Sequence, residues 1–364
     1  MSNARVMSSE YMYWARTCSQ ARFNLANSGV AGYPLAQLPV RIEDLEINGP
    51  SNYGYEPLQK AIAAKCAVAT ENVVAANGAS MGNFLALAAT VEPGDEVLIE
   101  HPTYELLVSA AQYLGADVKR FTRRAEENFH LDPHEVERLI TGRTRLIVLT
   151  NLHNPSSAPV DEATLKQLGE IAREAHARVM VGEIYLDAMF EQTPRSAFHL
   201  GPEFLTTNSL TKIYGLSGLR CGWILAEPEL ARRIWRLNDL MTNNPAHAAE
   251  RLSCIALGNL DRIRVRSRHL LDTNRAVLNR FLDEREDIEA PQFEYGTVSF
   301  PRWKHGSADQ LCDLLRDKYE TTVVPGRFFE MPQHFRVGLG CETDVFEAGI
   351  KRLGQALDEL KVSL

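Results

Sequence analysis

The 364 residues predict an α/β fold: a large domain built on a mostly parallel sheet of seven strands, with a smaller α+β domain beside it. Three observations carry that expectation. Short runs rich in aliphatic and β-branched residues alternate with helical patterns through the middle of the chain. Several of these runs are apolar at nearly every position, as strands buried on both faces are. Beyond about residue 228 the texture turns helical before short strands return.

In chain order, the first forty residues hold no clear strand or long helix and are expected to pack as an arm with the smaller domain. A helix is expected at 57–67, then strands at 73–76, 96–99, 116–121, 145–150, 178–181, 206–210 and 221–226. Between them lie amphipathic stretches such as 161–176, where Leu165, Leu168, Ile171, Ala172 and Ala175 recur at helical spacing behind an acidic start. Helices follow at 229–236, 248–257 and from 261 towards 285. The remainder reads as strands at 296–300, 322–324 and 336–339, with helices at 308–319 and 344–360. The expected division is a large domain of residues 40–260 and a small domain assembled from 1–39 and 261–364.

Composition excludes several classes of function. With 39 Lys+Arg against 47 Asp+Glu the net charge is −8, which disfavours wholesale nucleic-acid binding. The six cysteines lie far apart with no Cys-x-x-Cys pair, a pattern that fits a reducing compartment better than a zinc or disulfide framework. The first twenty residues contain no apolar core of signal-peptide length, and no run approaches the length of a membrane span. A soluble cytoplasmic protein, with no membrane partner, is expected. No metal site is expected either, because His130 and His134 are separated by Pro133 and no His-Glu-x-x-His occurs. Neither a dinucleotide fingerprint nor a Gly-x-Ser-x-Gly elbow is present.

The most informative segment runs from Ser209 to Gly222, SLTKIYGLSGLRCG. It sets Lys212 directly after a strand, then a Gly-rich loop, then Arg220, then another strand. A lysine at a buried strand end loses hydration, so its amine pKa falls and it becomes available for Schiff-base chemistry. The Ser209 hydroxyl and the Arg220 guanidinium suit a phosphate. Asn77-Gly78-Ala79-Ser80 follows a strand and opens a helix, so free amides there can also hold a phosphate. His101-Pro102-Thr103-Tyr104 and Asn154-Pro155 come after further strands, at the sheet edge where ligands collect.

This ordered set resembles the class I/II aminotransferases, enzymes of fold type I that use pyridoxal 5′-phosphate (PLP), over nearly the whole chain. The resemblance implies a homodimer that moves an amino group from an amino acid to a 2-oxo acid through a Schiff base on Lys212. It assigns Gly78, Ala79, Ser80, Ser209 and Arg220 to the PLP phosphate, Thr211 and the Gly182 position to the cofactor site, Tyr104 to stacking on the pyridine ring, and Asn154 and Tyr185 to the phenolic oxygen. Arg336, in Phe335-Arg336-Val337-Gly338, would clamp the substrate carboxylate, and Gly29, in Asn27-Ser28-Gly29, would approach the substrate together with Asn154. Tyr53 would reach the phosphate of the other subunit.

One position departs from the family pattern. Three residues before Tyr185 the family carries an Asp that keeps the pyridine nitrogen protonated, and this chain has Gly182. A protonated nitrogen is what makes the ring an electron sink, so a weakened sink is expected there. Glu183, the next residue along the strand, should point to the opposite face. Gly182 therefore motivates an alternative: a lyase, decarboxylase or oxidase of the same fold, or a catalytically weak PLP-binding protein.

Overall fold

The seven expected strands form one sheet: β1 (Val73–Asn77), β2 (Glu96–His101), β3 (Asp117–Thr122), β4 (Thr144–Thr150), β5 (Arg178–Gly182), β6 (Phe204–Ser209) and β7 (Cys221–Leu225). In this computed structural model residues 6–50 and 52–362 are described; the first five residues of the expected arm, Ser51 and the last two residues lie outside the described residues. Across the sheet the order is β1-β7-β6-β5-β4-β2-β3. The β6-β5, β5-β4, β4-β2 and β2-β3 pairs are parallel, whereas β7 is antiparallel to both β6 and β1. Six strands thus run one way and β7 alone runs back. Their carboxyl ends, from Asn77 through Thr150 and Gly182 to Ser209, share one edge of the sheet with the start of β7.

Both faces of the sheet are covered, which explains the nearly uninterrupted apolar runs. Ile99, Leu146, Val148, Met180 and Leu205 join Leu85 and Ala86 of the helix α1 (Gly78–Thr90) in one core. On the other face Leu98, Ile147, Leu149, Val179 and Val181 pack with Leu165, Leu168 and Ala172 of the helix α2 (Glu162–Glu174). The α2 start was legible, since the Asp161 carboxylate accepts from the Thr164 amide as an N-cap should.

Beyond the sheet, the helix Leu260–Asp283 leads to an antiparallel set in which Phe335–Gly338 lies between Val298–Ser299 and Val324–Pro325. Near the N-terminus an eight-residue helix, Glu10–Thr17, precedes a short strand, Phe23–Asn24, paired in parallel with Thr321–Thr322. On this pairing we propose that residues 1–39 and 261–364 make up one small domain beside residues 40–260. Among the described residues no helix is long and apolar enough to cross a membrane.

The edge that carries the strand ends is set by a glycine. A methyl on Gly222 of β7 would stand 2.6 Å from the Ala79 amide nitrogen and 2.8 Å from the Gly78 Cα, backbone atoms that cannot turn aside. Gly222→Ala should therefore push the α1 start off the sheet and cost about 1–3 kcal/mol, measured by urea unfolding. Gly82→Ala, in the same helix but with only ordinary contacts at 3.5 Å and beyond, should be close to neutral.

Candidate active site

At this edge lies a cleft of about 730 Å³, a volume suited to a small-molecule ligand. Ala79, Ser80, Tyr104, Asn154, Tyr185, Ser209, Thr211, Lys212 and Arg220 all line it, so the structure gathers most of the expected site into one place. Gly78 lies at its rim with φ +76°, and a side chain there would collide with the Arg220 guanidinium. Gly29 lies against Lys212: a Cβ on it would be 3.3 Å from the Lys212 Cδ. Tyr53 stands apart, half exposed on the surface, where its hydroxyl donates to the Asp239 carboxylate at 3.0 Å.

Lys212 follows β6 after Leu210 and Thr211, half-buried on the cleft wall. Its amine donates to Ser28 Oγ at 3.0 Å, and the Tyr185 hydroxyl donates to the same oxygen at 3.0 Å. Burial lowers the amine pKa to about 8, with Arg336 and Arg220 acting in the same direction and Tyr11 opposing them. The Tyr185 and Tyr104 phenols are pushed the other way by burial, so both stay protonated as donors. Tyr104 presents its ring in the cleft, in edge contact with Tyr11 at 5.7 Å between centroids.

The α1 N-terminus supplies backbone donors. Asn77 places no side-chain cap on it, and the Arg220 guanidinium reaches back to the Asn77 carbonyl at 3.4 Å. Free amides, the positive end of the helix and a guanidinium together make an anion site, completed by the hydroxyls of Ser80 and Ser209 in the cleft wall.

Arg336 is fully buried behind the cleft. Its Nη1 donates to Asn154 Oδ1 at 2.9 Å, and its Nη2 to the Tyr11 hydroxyl at 3.0 Å and the Ala26 carbonyl at 3.1 Å. No carboxylate pairs with it among the described residues, and its Nε has no partner. A buried guanidinium without a counter-ion is costly, which marks this as a place for a ligand's carboxylate. Because Arg336 occupies the Asn154 carbonyl oxygen, the Asn154 amide NH2 is left to donate into the cleft.

The Asn154 loop is held from beneath. Asn154 N donates to Thr150 Oγ1, which donates in turn to Glu100; Glu100 also takes the Thr150 amide and the buried Arg123. His153, adjacent to Asn154, is likewise committed: its Nε2 donates to the Pro102 carbonyl, so Nδ1 accepts from Ser156.

Four residues that short motifs did not reveal also line the cleft: Tyr11, Arg16, Ser28 and Asn83. Ser28 was within the Asn27-Ser28-Gly29 motif, one residue from the position taken as significant. No local signal marked the others, which arrive through tertiary packing. None of the residues lining the cleft is acidic.

The residues present fit PLP at every end but one: donors for a phosphate, donors for a phenolate, an aromatic face, a low-pKa lysine and a carboxylate clamp. The exception is the β5 end, where Gly182 offers no carboxylate.

Comparisons with known proteins agree. A sequence model of the aminotransferase class I and II family matches residues 46–353. Capreomycidine synthase of Streptomyces vinaceus is 30% identical over 93% of this chain and 90% of its own length. An aspartate aminotransferase of Streptomyces avermitilis is 23% identical over 92% of the chain and 89% of its own. Among solved structures, a PLP-dependent aminotransferase from Streptococcus suis superposes with a TM-score of 0.90 at 26% identity, covering 96% of each chain.

Because burial holds Lys212 near pKa 8, its neutral, reactive amine should accumulate as pH rises through about 8. Covalent uptake of PLP by the apoprotein, followed as borohydride-trapped label on Lys212, should accelerate with a midpoint near that pH. A midpoint near the ordinary lysine value of about 10.4 would contradict the burial argument.

Proposed function

Since the chain belongs to the aminotransferase class I and II family and its cofactor is pyridoxal 5′-phosphate, we propose that it moves an amino group from an amino acid to a 2-oxo acid. The observation that carries this reading is the pairing of a cleft lysine whose amine pKa is lowered to about 8 with an arginine, buried behind the cleft, that lacks a counter-ion among the described residues.

When bound, the cofactor supplies an electron sink for the charge left at the substrate Cα after proton loss. The chain supplies the rest. Gly78, Ala79, Ser80, Ser209 and Arg220 hold the phosphate; Asn154 and Tyr185 donate to the phenolic oxygen; Tyr104 covers the ring. Arg336 takes the α-carboxylate through its guanidinium and so orients the Cα–H bond, with Gly29 leaving room beside Lys212. The Lys212 amine would hold the cofactor covalently and, when free, would take the substrate Cα proton and return it as general base and acid. We further propose a cytoplasmic homodimer, in which the exposed Tyr53 of one protomer reaches the phosphate held by its partner.

A second reading is favoured by Gly182 and by the likeness to capreomycidine synthase: a PLP-dependent conversion of an amino acid that does not end in transamination. Lyase, decarboxylase and oxidase chemistry belong here. One assay separates the two. Purified protein with PLP, a panel of amino donors and 2-oxoglutarate should yield glutamate and the donor's 2-oxo acid in equal amounts, and Lys212→Ala should abolish both. Donor consumption without glutamate would replace transamination by the second reading.

A further inference from the structure

Thr150, Gly182 and Thr207 stand side by side in register at the ends of β4, β5 and β6, so their side chains share one face of the sheet. This is the face on which α1 packs. A Cβ on Gly182 would lie 3.2 Å from the Thr150 Cγ2 and 3.3 Å from the Ile184 Cδ1, so methyl groups occupy the space of a larger side chain. The backbone itself does not demand glycine, because Gly182 lacks a positive φ.

The carboxylates near this row are committed elsewhere. Glu100 is taken up by Thr150 and Arg123, and Glu183 accepts from Ser196 Oγ and the Ala197 amide on the other side of the strand.

From α1 a polar side chain also reaches the row. Asn83, almost fully buried in α1, accepts a 2.6 Å hydrogen bond from the Thr207 hydroxyl at its Oδ1. In this arrangement the amide oxygen stands towards the sheet. Its NH2 makes no hydrogen bond among the described residues, and the side chain lines the cleft. Asn83 also lies about one helical turn below Ala79 and Ser80, whose amides are assigned to the phosphate.

We propose that the Asn83 side-chain NH2 donates a hydrogen bond to the pyridine nitrogen of PLP and holds that nitrogen unprotonated, in place of the carboxylate that Gly182 lacks. An amide NH2 can only donate, so it pairs with the free-base nitrogen and not with its protonated form. Arg220, Arg16 and Lys212 in the same cleft, with no acid to balance them, act in the same direction. Asn83 is thus a cofactor-tuning residue that family motifs do not mark, and the assignment rests on the cofactor binding through Lys212 as proposed above.

The test uses the full chain loaded with PLP labelled with ¹⁵N at the ring nitrogen. In the native protein the ¹⁵N resonance should lie at the free-base position and stay there through neutral pH. In Asn83→Asp, which puts a carboxylate in the same place, it should move to the protonated position. Asn83→Leu, similar in size but without a donor, should loosen PLP about tenfold, the scale of one lost hydrogen bond. A protonated resonance in the native protein overturns the proposal whatever the variants do. So does an Asn83→Leu protein that keeps both native affinity and native resonance. Borohydride trapping keeps the two levels apart: label on Lys212 with a protonated nitrogen sinks only the Asn83 assignment, while no label on Lys212 sinks the cofactor site with it.

Discussion

The active cleft depends on a contact between two glycines. Gly222 of β7 passes so close beneath the first peptide of α1 that no side chain fits between them, and Gly78 on the other side of that peptide leaves room only for the Arg220 guanidinium. Because β7 runs against its neighbours, it enters the sheet at the edge where the other strands leave it. The loop from Ser209 to Arg220 is therefore short and must turn back over that edge, carrying Lys212 with it. A helix end that begins near residue 78 and a lysine more than 130 residues later become neighbours through this one close approach.

Charge is arranged by the same packing. The chain as a whole carries a net −8, yet the cleft lining holds Lys212, Arg220 and Arg16 and no acid, with Arg336 buried just behind. The buried acid nearest the Asn154 loop, Glu100, is taken up by Arg123 and Thr150. Burial lowers the affinity of Lys212 for its proton, Arg336 and Arg220 add to it, and the same positive charges favour anions in the cleft. An anion bound there would offset the energetic cost of leaving Arg336 Nε unpartnered in the interior.

All seven strands were legible in the sequence, several of them because burial on both faces made them apolar nearly throughout, with edges displaced by only one or two residues. The reversed direction of β7 was not legible: an apolar run reads the same whichever way it is threaded. In the site, Lys212, Asn154, Tyr104, Tyr185 and Arg220 were legible because each sits in a short motif at a strand end. Tyr11 and Asn83 were not, because an aromatic in a short arm helix or a polar residue in a buried helix has no local signature of its purpose. Ser28 falls between these cases, since its loop was recognised but its hydroxyl, shared by Lys212 and Tyr185, is visible only in three dimensions.

Gly182 is the position at which this chain departs from the family pattern. The glycine is not a simple deletion, because Thr150 and Ile184 close over the vacated space, and restoring a carboxylate at this position alone would press against both. The change belongs to a packed set that includes Ile184, Thr207 and Asn83. If the pyridine nitrogen is held unprotonated, the ring withdraws less charge from the substrate Cα, and more of the barrier falls on groups the chain controls directly. Those are the base strength of Lys212 and the orientation imposed by Arg336. An amine with a pKa near 8 is available as a base at neutral pH without being so weak that proton removal stalls. The missing carboxylate and the depressed pKa of Lys212, which burial chiefly causes, then act on the two halves of one step, a weaker sink beside a readier base.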